Sequence, residues 1–141
     1  MNPCNIFDIR VYYEDTDAGG IVYYANYLKF AERGRTEFLR DHNISNSKML
    51  EEHGIGVVVR HVEMDLRAPA KLDDMLTVET RVTSFKKVSF VMEQKIMKDS
   101  LHLATIIVKL ACIKIDSGRP VPLPPQLIEV LNNDDSNCKP D

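Results

Sequence analysis

Apolar and polar positions alternate with a period of two from Ile6 to Tyr13, where Phe7, Ile9, Val11 and Tyr13 are interleaved with Asp8 and Arg10. That pattern predicts a half-buried first strand. Glu14 to Gly20 follows, with carboxylates, threonine, alanine and two glycines in no strand or helix period, and predicts a loop. From Asn26 to Asp41 the period changes. Tyr27, Phe30, Ala31, Gly34 and Phe38 recur at steps of three and four and lay one apolar stripe along a helix. Asn26 is the expected N-cap, and Gly34 on the stripe would let the helix lie close to a sheet. On the outer faces, Arg33 with Glu37 and Glu32 with Arg35 have the spacing of surface ion pairs.

After a polar, irregular stretch through His53 and Gly54, four segments read as strands: Val57 to Leu66, Leu76 to Phe85, Val88 to Met97, and Leu103 to Ile115. Lys86-Lys87 and Asp99-Ser100 leave connections short enough for antiparallel hairpins. Pro120, Pro122, Pro124 and Pro125 end the last strand, Gln126 to Leu131 is a candidate short helix, and residues 132–141 read as a polar, frayed tail. One helix with one apolar stripe must bury it on the only sheet available. The expected class is therefore α+β, a long helix wrapped by a curved antiparallel sheet of about five strands, in one domain over residues 1–131. Periodicity alone leaves several α+β folds open.

Composition narrows the function. A chain of 141 residues, 44% hydrophobic, is sized for one core. A net charge of -3 and a pI near 5.8 argue against a dedicated nucleic-acid binder. The three cysteines, Cys4, Cys112 and Cys138, are scattered and lack the paired spacings of zinc sites, which favours free thiols in a reducing compartment. Met1 to Arg10 does not read as a secretion leader, and no run of eighteen apolar residues predicts a membrane span. A soluble, cytoplasmic protein without membrane insertion is expected.

The chemistry concentrates in Arg10 to Tyr27, R-V-Y-Y-E-D-T-D-A-G-G-I-V-Y-Y-A-N-Y. This segment resembles the 4-hydroxybenzoyl-CoA thioesterase superfamily, and within it the bacterial YbgC-like acyl-CoA thioesterases of the tol-pal gene cluster. Lys29 to Leu39 (K-F-A-E-R-G-R-T-E-F-L) and Leu66 to Leu76 (L-R-A-P-A-K-L-D-D-M-L) extend the likeness. The resemblance implies a hotdog fold, hydrolysis of acyl-CoA thioesters, no metal or organic cofactor, and a catalytic aspartate at Asp17. It places Tyr24 where a backbone N–H at the start of the long helix polarises the thioester carbonyl. Many YbgC-like proteins carry histidine there, so Tyr24 departs from their pattern and resembles the 4-hydroxybenzoyl-CoA enzyme, which bears on substrate preference. A homodimer or homotetramer is implied too, and the tol-pal association hints at membrane-lipid metabolism or acyl carrier protein.

Elementary chemistry supports this reading independently. Thioester cleavage needs stabilisation of the developing oxyanion, which a helix N-terminus supplies, and a group that attacks or activates water, which a carboxylate supplies. Substrate contacts are expected from Tyr13, Gly20, Val22 and Tyr27, and from Lys86 and Lys87, whose paired charge suits coenzyme A phosphates. Against these stand plainer readings: hairpin lysines on a solvated edge, and tyrosines as core packing. Asp15 and Glu14 read as solvated loop acids, and Glu32 and Glu37 as partners of nearby arginines. His42, His53, His61 and Cys112 show no nucleophile–base motif. Two other functions remain to be tested, a noncatalytic acyl-CoA or acyl-carrier-protein binding module and a hydratase. The second usually needs an Asp/His pair, and no histidine lies in the loop.

Overall fold

The computed structural model describes residues 5–137, so Cys4, Cys138 and the end of the expected tail lie outside the described residues. The strands are β1 (Asn5–Arg10), β2 (Ile55–Leu66), β3 (Met75–Phe85), β4 (Ser89–Lys98) and β5 (Leu101–Lys114). The helices are α1 (Asn26–Asp41), α2 (Asn46–His53) and α3 (Pro125–Asn137). All strand pairings are antiparallel, and the five-stranded sheet runs β1-β3-β4-β5-β2. Both expected hairpins, β3-β4 and β4-β5, are present. Register shifts at Val59/His61, Val82/Ser84 and Ile96/Met97 bend the strands, and such bends curve a sheet around what it covers.

What it covers is α1. The helix has the bounds its stripe predicts, and Tyr27, Phe30, Ala31, Gly34 and Phe38 are all buried. They meet the inward positions of the strands, among them Leu76 and Val78 of β3, Phe90, Met92 and Ile96 of β4, and Ile106 and Val108 of β5. Gly34 is the point of closest approach. A Cβ there would stand 2.7 Å from Val78 Cγ1, 3.1 Å from Gln94 Nε2 and 3.2 Å from Thr80 Oγ1. Gln94 is fully buried and donates to Ala31 O at 2.8 Å and to Thr80 Oγ1 at 3.0 Å, while Arg35 Nη1 donates to its Oε1 at 3.0 Å. Gly34→Ala would gain about 1 kcal/mol of helix propensity but push into this bonded layer at a cost of roughly 1–3 kcal/mol. A net fall in stability is expected, read as a lower urea midpoint at unchanged slope. A raised midpoint would show that the sheet yields.

Several expectations are corrected. The first strand stops at Arg10, short of Tyr13, because Tyr13–Asp15 winds into one 3-10 turn and the Tyr12 N–H turns to the Asp15 carboxylate. Asn26 does not cap α1. Ala25 holds that position without a side-chain bond, and Asn26 is the first helical residue, its amide donating to Asp15. α2 lies within the stretch read as irregular. Ser45 caps it by accepting from Lys48 N, and Gly54 closes it in the left-handed conformation at φ 65°. α3 runs to Asn137, past the end expected at Leu131, and buries Leu127, Val130 and Leu131. Among the described residues no helix is long and apolar enough to cross a membrane.

Candidate active site

The loop between β1 and α1 is held at both ends by hydrogen bonds that its own sequence supplies. Asp15 is buried, not solvated as expected. Its Oδ2 accepts from Tyr12 N at 2.8 Å, its Oδ1 from Asn26 Nδ2 at 3.0 Å, and its carbonyl oxygen from Tyr23 N at 3.0 Å. Two residues on, Asp17 is exposed and folded into a tight turn. Its Oδ1 accepts from Gly19 N at 2.9 Å, its carbonyl from Gly20 N at 3.0 Å, and its own N–H donates to Ile21 O at 2.9 Å. Gly20 sits at φ 79°, which a side chain would strain. The Asp-Ala-Gly-Gly run is thus the sequence that presents one carboxylate on a closed turn.

The segment from Arg67 to Asp74 braces this loop from the far side. Val22 N donates to Ala70 O at 2.9 Å, Leu72 N donates to Gly20 O at 3.1 Å, and Ile21 bridges Lys71. The Tyr27 hydroxyl accepts from Ala70 N at 3.0 Å. Burial pushes the Tyr27 phenol above its ordinary pKa and nearby Asp74 adds to this, while the Ala70 N–H pulls the other way. For Asp74, burial works upward, but the Lys98 ammonium and the Lys71 N–H outweigh it and hold the carboxyl below the usual range. The stretch of resemblance from Leu66 to Leu76 is therefore the brace of the one from Arg10 to Tyr27.

Asn26 N donates to Tyr23 O and Tyr27 N to Tyr24 O in the turn leading into α1. The Tyr24 N–H meets no acceptor among the described residues. A groove of about 420 Å³ opens here, lined by Asp17, residues 21–24, Tyr27 and residues 66–69. Its wall carries the Tyr23 and Tyr24 rings, with centroids 5.0 Å apart and tilted by 52°. Chemically, the residues lining the groove bring together an exposed carboxylate with one oxygen held by Gly19 N, an N–H without an acceptor among the described residues near the positive end of a helix, and an apolar, aromatic wall.

Of the residues expected to form a site, Asp17, Val22, Tyr24 and Tyr27 share this groove, and Gly20 shapes the loop beside it. Val22 and Tyr27 form its buried floor. Tyr13 is 83% exposed and is not among the lining residues. Lys86 and Lys87 follow the far end of β3, whose 11 residues begin beside the loop. At about 3.3 Å per residue they stand roughly 30 Å away within one chain. Arg67 is the cation that the groove does hold; it lies within the stretch from Leu66 to Leu76, whose pattern gives it no role.

The rival groups are placed elsewhere. Glu37 pairs with Arg40 instead of the expected Arg33. Burial lowers the Arg35 guanidinium from its ordinary value, with Glu32 opposing that effect. His42 packs against the Phe38 ring, and His61 lies 3.3 Å from Glu63. Cys112 is fully buried, and burial pushes its thiol up to about 11, leaving it protonated at neutral pH.

An antiparallel five-stranded sheet wrapped round one helix, with an acidic loop at that helix's N-terminal end, is the arrangement of the hotdog thioesterases. A family model described as the thioesterase-like superfamily matches residues 11–131. The chain belongs to this superfamily. It is 46% identical to the acyl-CoA thioesterase YbgC of Haemophilus influenzae over 121 residues, covering 86% of this chain and 89% of that one. It is 41% identical to the acyl-CoA thioester hydrolase YbgC of Escherichia coli O157:H7, covering 85% and 90%. The crystal structure of a probable thioesterase from Bartonella henselae superposes with a TM-score of 0.81 at 42% identity, over 84% of this chain and 98% of that one.

Proposed function

We propose that the protein hydrolyses acyl-CoA thioesters to a free acid and coenzyme A, with Asp17 as the catalytic carboxylate and the Tyr24 N–H as the oxyanion donor. The observation that carries this is that Asp17 and Tyr24 line one groove beside the N-terminal end of α1, and that the Tyr24 N–H meets no acceptor among the described residues. The names of relatives at 41–46% identity support the substrate class. With the thioester carbonyl oxygen on the Tyr24 N–H, negative charge develops against a fixed donor and the helix dipole. One such donor contributes roughly 3 kcal/mol to the barrier.

Two balanced routes serve the same geometry. The Asp17 carboxylate adds to the carbonyl carbon, the coenzyme A thiolate leaves, and water hydrolyses the resulting anhydride. Alternatively Asp17 takes a proton from water, the hydroxide adds, and the departing thiolate receives that proton. Arg67 is suited to a coenzyme A phosphate at the groove mouth. No histidine lines the groove, which disfavours the hydratase reading.

A homodimer in the cytoplasm fits this reading. β2 is an edge strand of the sheet and leaves Val59, Val62 and Leu66 exposed, so a second copy pairing along it would cover both backbone and apolar side chains. Because Leu66 also lines the groove, that copy would abut the site. The test is thiol release from short, long and aromatic acyl-CoAs. Turnover of at least one class, strongly reduced in D17N, is expected. Binding without release from any of them would replace the enzyme with a binding module.

A further inference from the structure

Asp15 is 5% exposed, whereas Glu14 and Asp17 in the same loop are exposed. A buried carboxylate is costly unless its oxygens are hydrogen-bonded, and here both are, by donors from opposite ends of the loop. Tyr12 N lies where β1 has just ended, and Asn26 Nδ2 belongs to the first residue of α1. Asn26 is itself 8% exposed. The Asp15 carbonyl holds Tyr23, the residue before Tyr24, by a third bond. Neither Asp15 nor Asn26 lines the groove.

We propose that Asp15 and Asn26 are a positioning pair whose buried hydrogen bond fixes the spacing between the Asp17 carboxylate and the Tyr24 N–H. This rests on the reading that those two groups carry the reaction. Asp17 is two residues beyond Asp15, and Tyr24 is two residues before Asn26, so one contact joins the two halves of the site at their bases. Loosening it lets the turn bearing Asp17 drift from the helix start without removing any group that touches substrate. A misplacement of about 1 Å is enough to cost on the order of a hundredfold in rate.

The donor and acceptor pattern makes a specific test. In D15N one acceptor oxygen faces two N–H donors, and the new amide N–H₂ must point at one of them. In the double variant D15N/N26D the roles are exchanged. The amide at position 15 accepts from Tyr12 and donates to a carboxylate at position 26, where the helix N-terminus favours negative charge. Compared per folded protein, well below the unfolding temperature, D15N is expected to lose roughly ten- to a hundredfold in kcat, with KM little changed. D15N/N26D is expected to recover to within about threefold of wild type, which loss of stability alone would not produce.

Wild-type kcat in D15N, or a double variant as slow as the single one, would overturn the proposal. Should D15N fold too poorly to assay, N26A removes the same contact while leaving Asp15 its bond from Tyr12, and wild-type kcat in N26A would overturn it equally. Amide hydrogen exchange separates this proposal from the thioesterase reading. Faster exchange over residues 16–25 in D15N, restored in the double variant, with β3 and β4 unchanged, is expected whether or not any thioester is cleaved. Unchanged exchange in that loop refutes the pair, whereas unaltered turnover in D17N refutes the catalytic reading alone.

Discussion

Replacement of Asp17 by asparagine is expected to lower kcat for thiol release by roughly two to four orders of magnitude, with KM changed only a few-fold. Asparagine matches aspartate in size, and its side-chain oxygen can still accept the Gly19 N–H that closes the turn. The loop, the groove and the Tyr24 N–H should therefore persist. What disappears is the anionic oxygen that attacks the carbonyl or takes a proton from water. The exposure of Asp17 means that no buried bond is broken and that the melting temperature should stay within a few degrees of wild type. The check is a coupled thiol assay on the best substrate of the acyl-CoA panel, beside a thermal melt of both proteins. D17N turning over at a rate near wild type would remove Asp17 from the chemistry and leave the oxyanion donor acting on water alone.

The parts of the fold legible in the sequence are those in which burial repeats. The bounds of α1 are legible because five stripe residues all face one sheet, and β3 to β5 fall within two residues of expectation because their buried positions alternate over most of their length, whereas the edge strand β2 is legible by its apolar residues and not by burial. α2 buries only Met49, so no period marks it; its signals were the capping Ser45 and the closing Gly54. At the candidate site, the motif singles out Asp17 and Tyr24, which line one groove, yet residue type misreads Asp15, which lies between β1 and Asp17. A loop aspartate ordinarily faces solvent, and nothing in the composition of Asp15 reveals that Tyr12 and Asn26 enclose it. The adjacent lysines Lys86 and Lys87 suit a polyanion, but antiparallel order puts their hairpin at the end of the sheet opposite the groove. Arg67 forms an exposed pair with Asp65 at 3.2 Å, and only the fold brings it to the groove.

The largest effect expected on stability comes from Phe30→Ala. Phe30 is fully buried one turn into α1, and its ring meets the Tyr27 ring edge-on at 6.1 Å between centroids. Truncating a buried phenylalanine costs roughly 3–5 kcal/mol through lost transfer energy and the cavity left behind, a large share of the about 5–15 kcal/mol that keeps a domain folded. For a chain of this length that corresponds to a fall of roughly 10–20 °C in melting temperature. The consequence reaches the site through one neighbour. Tyr27 leans on Phe30 and its hydroxyl holds the Ala70 N–H, and Ala70 in turn receives Val22 N. A void beneath Tyr27 frees the floor of the groove, so kcat should fall even at temperatures where the variant is fully folded, while Phe38→Ala, which empties the core farther along the same helix, should lose comparable stability with a smaller loss of turnover. Equal turnover losses in the two variants would show that the groove responds to global stability and not to the Phe30–Tyr27–Ala70 chain of contacts.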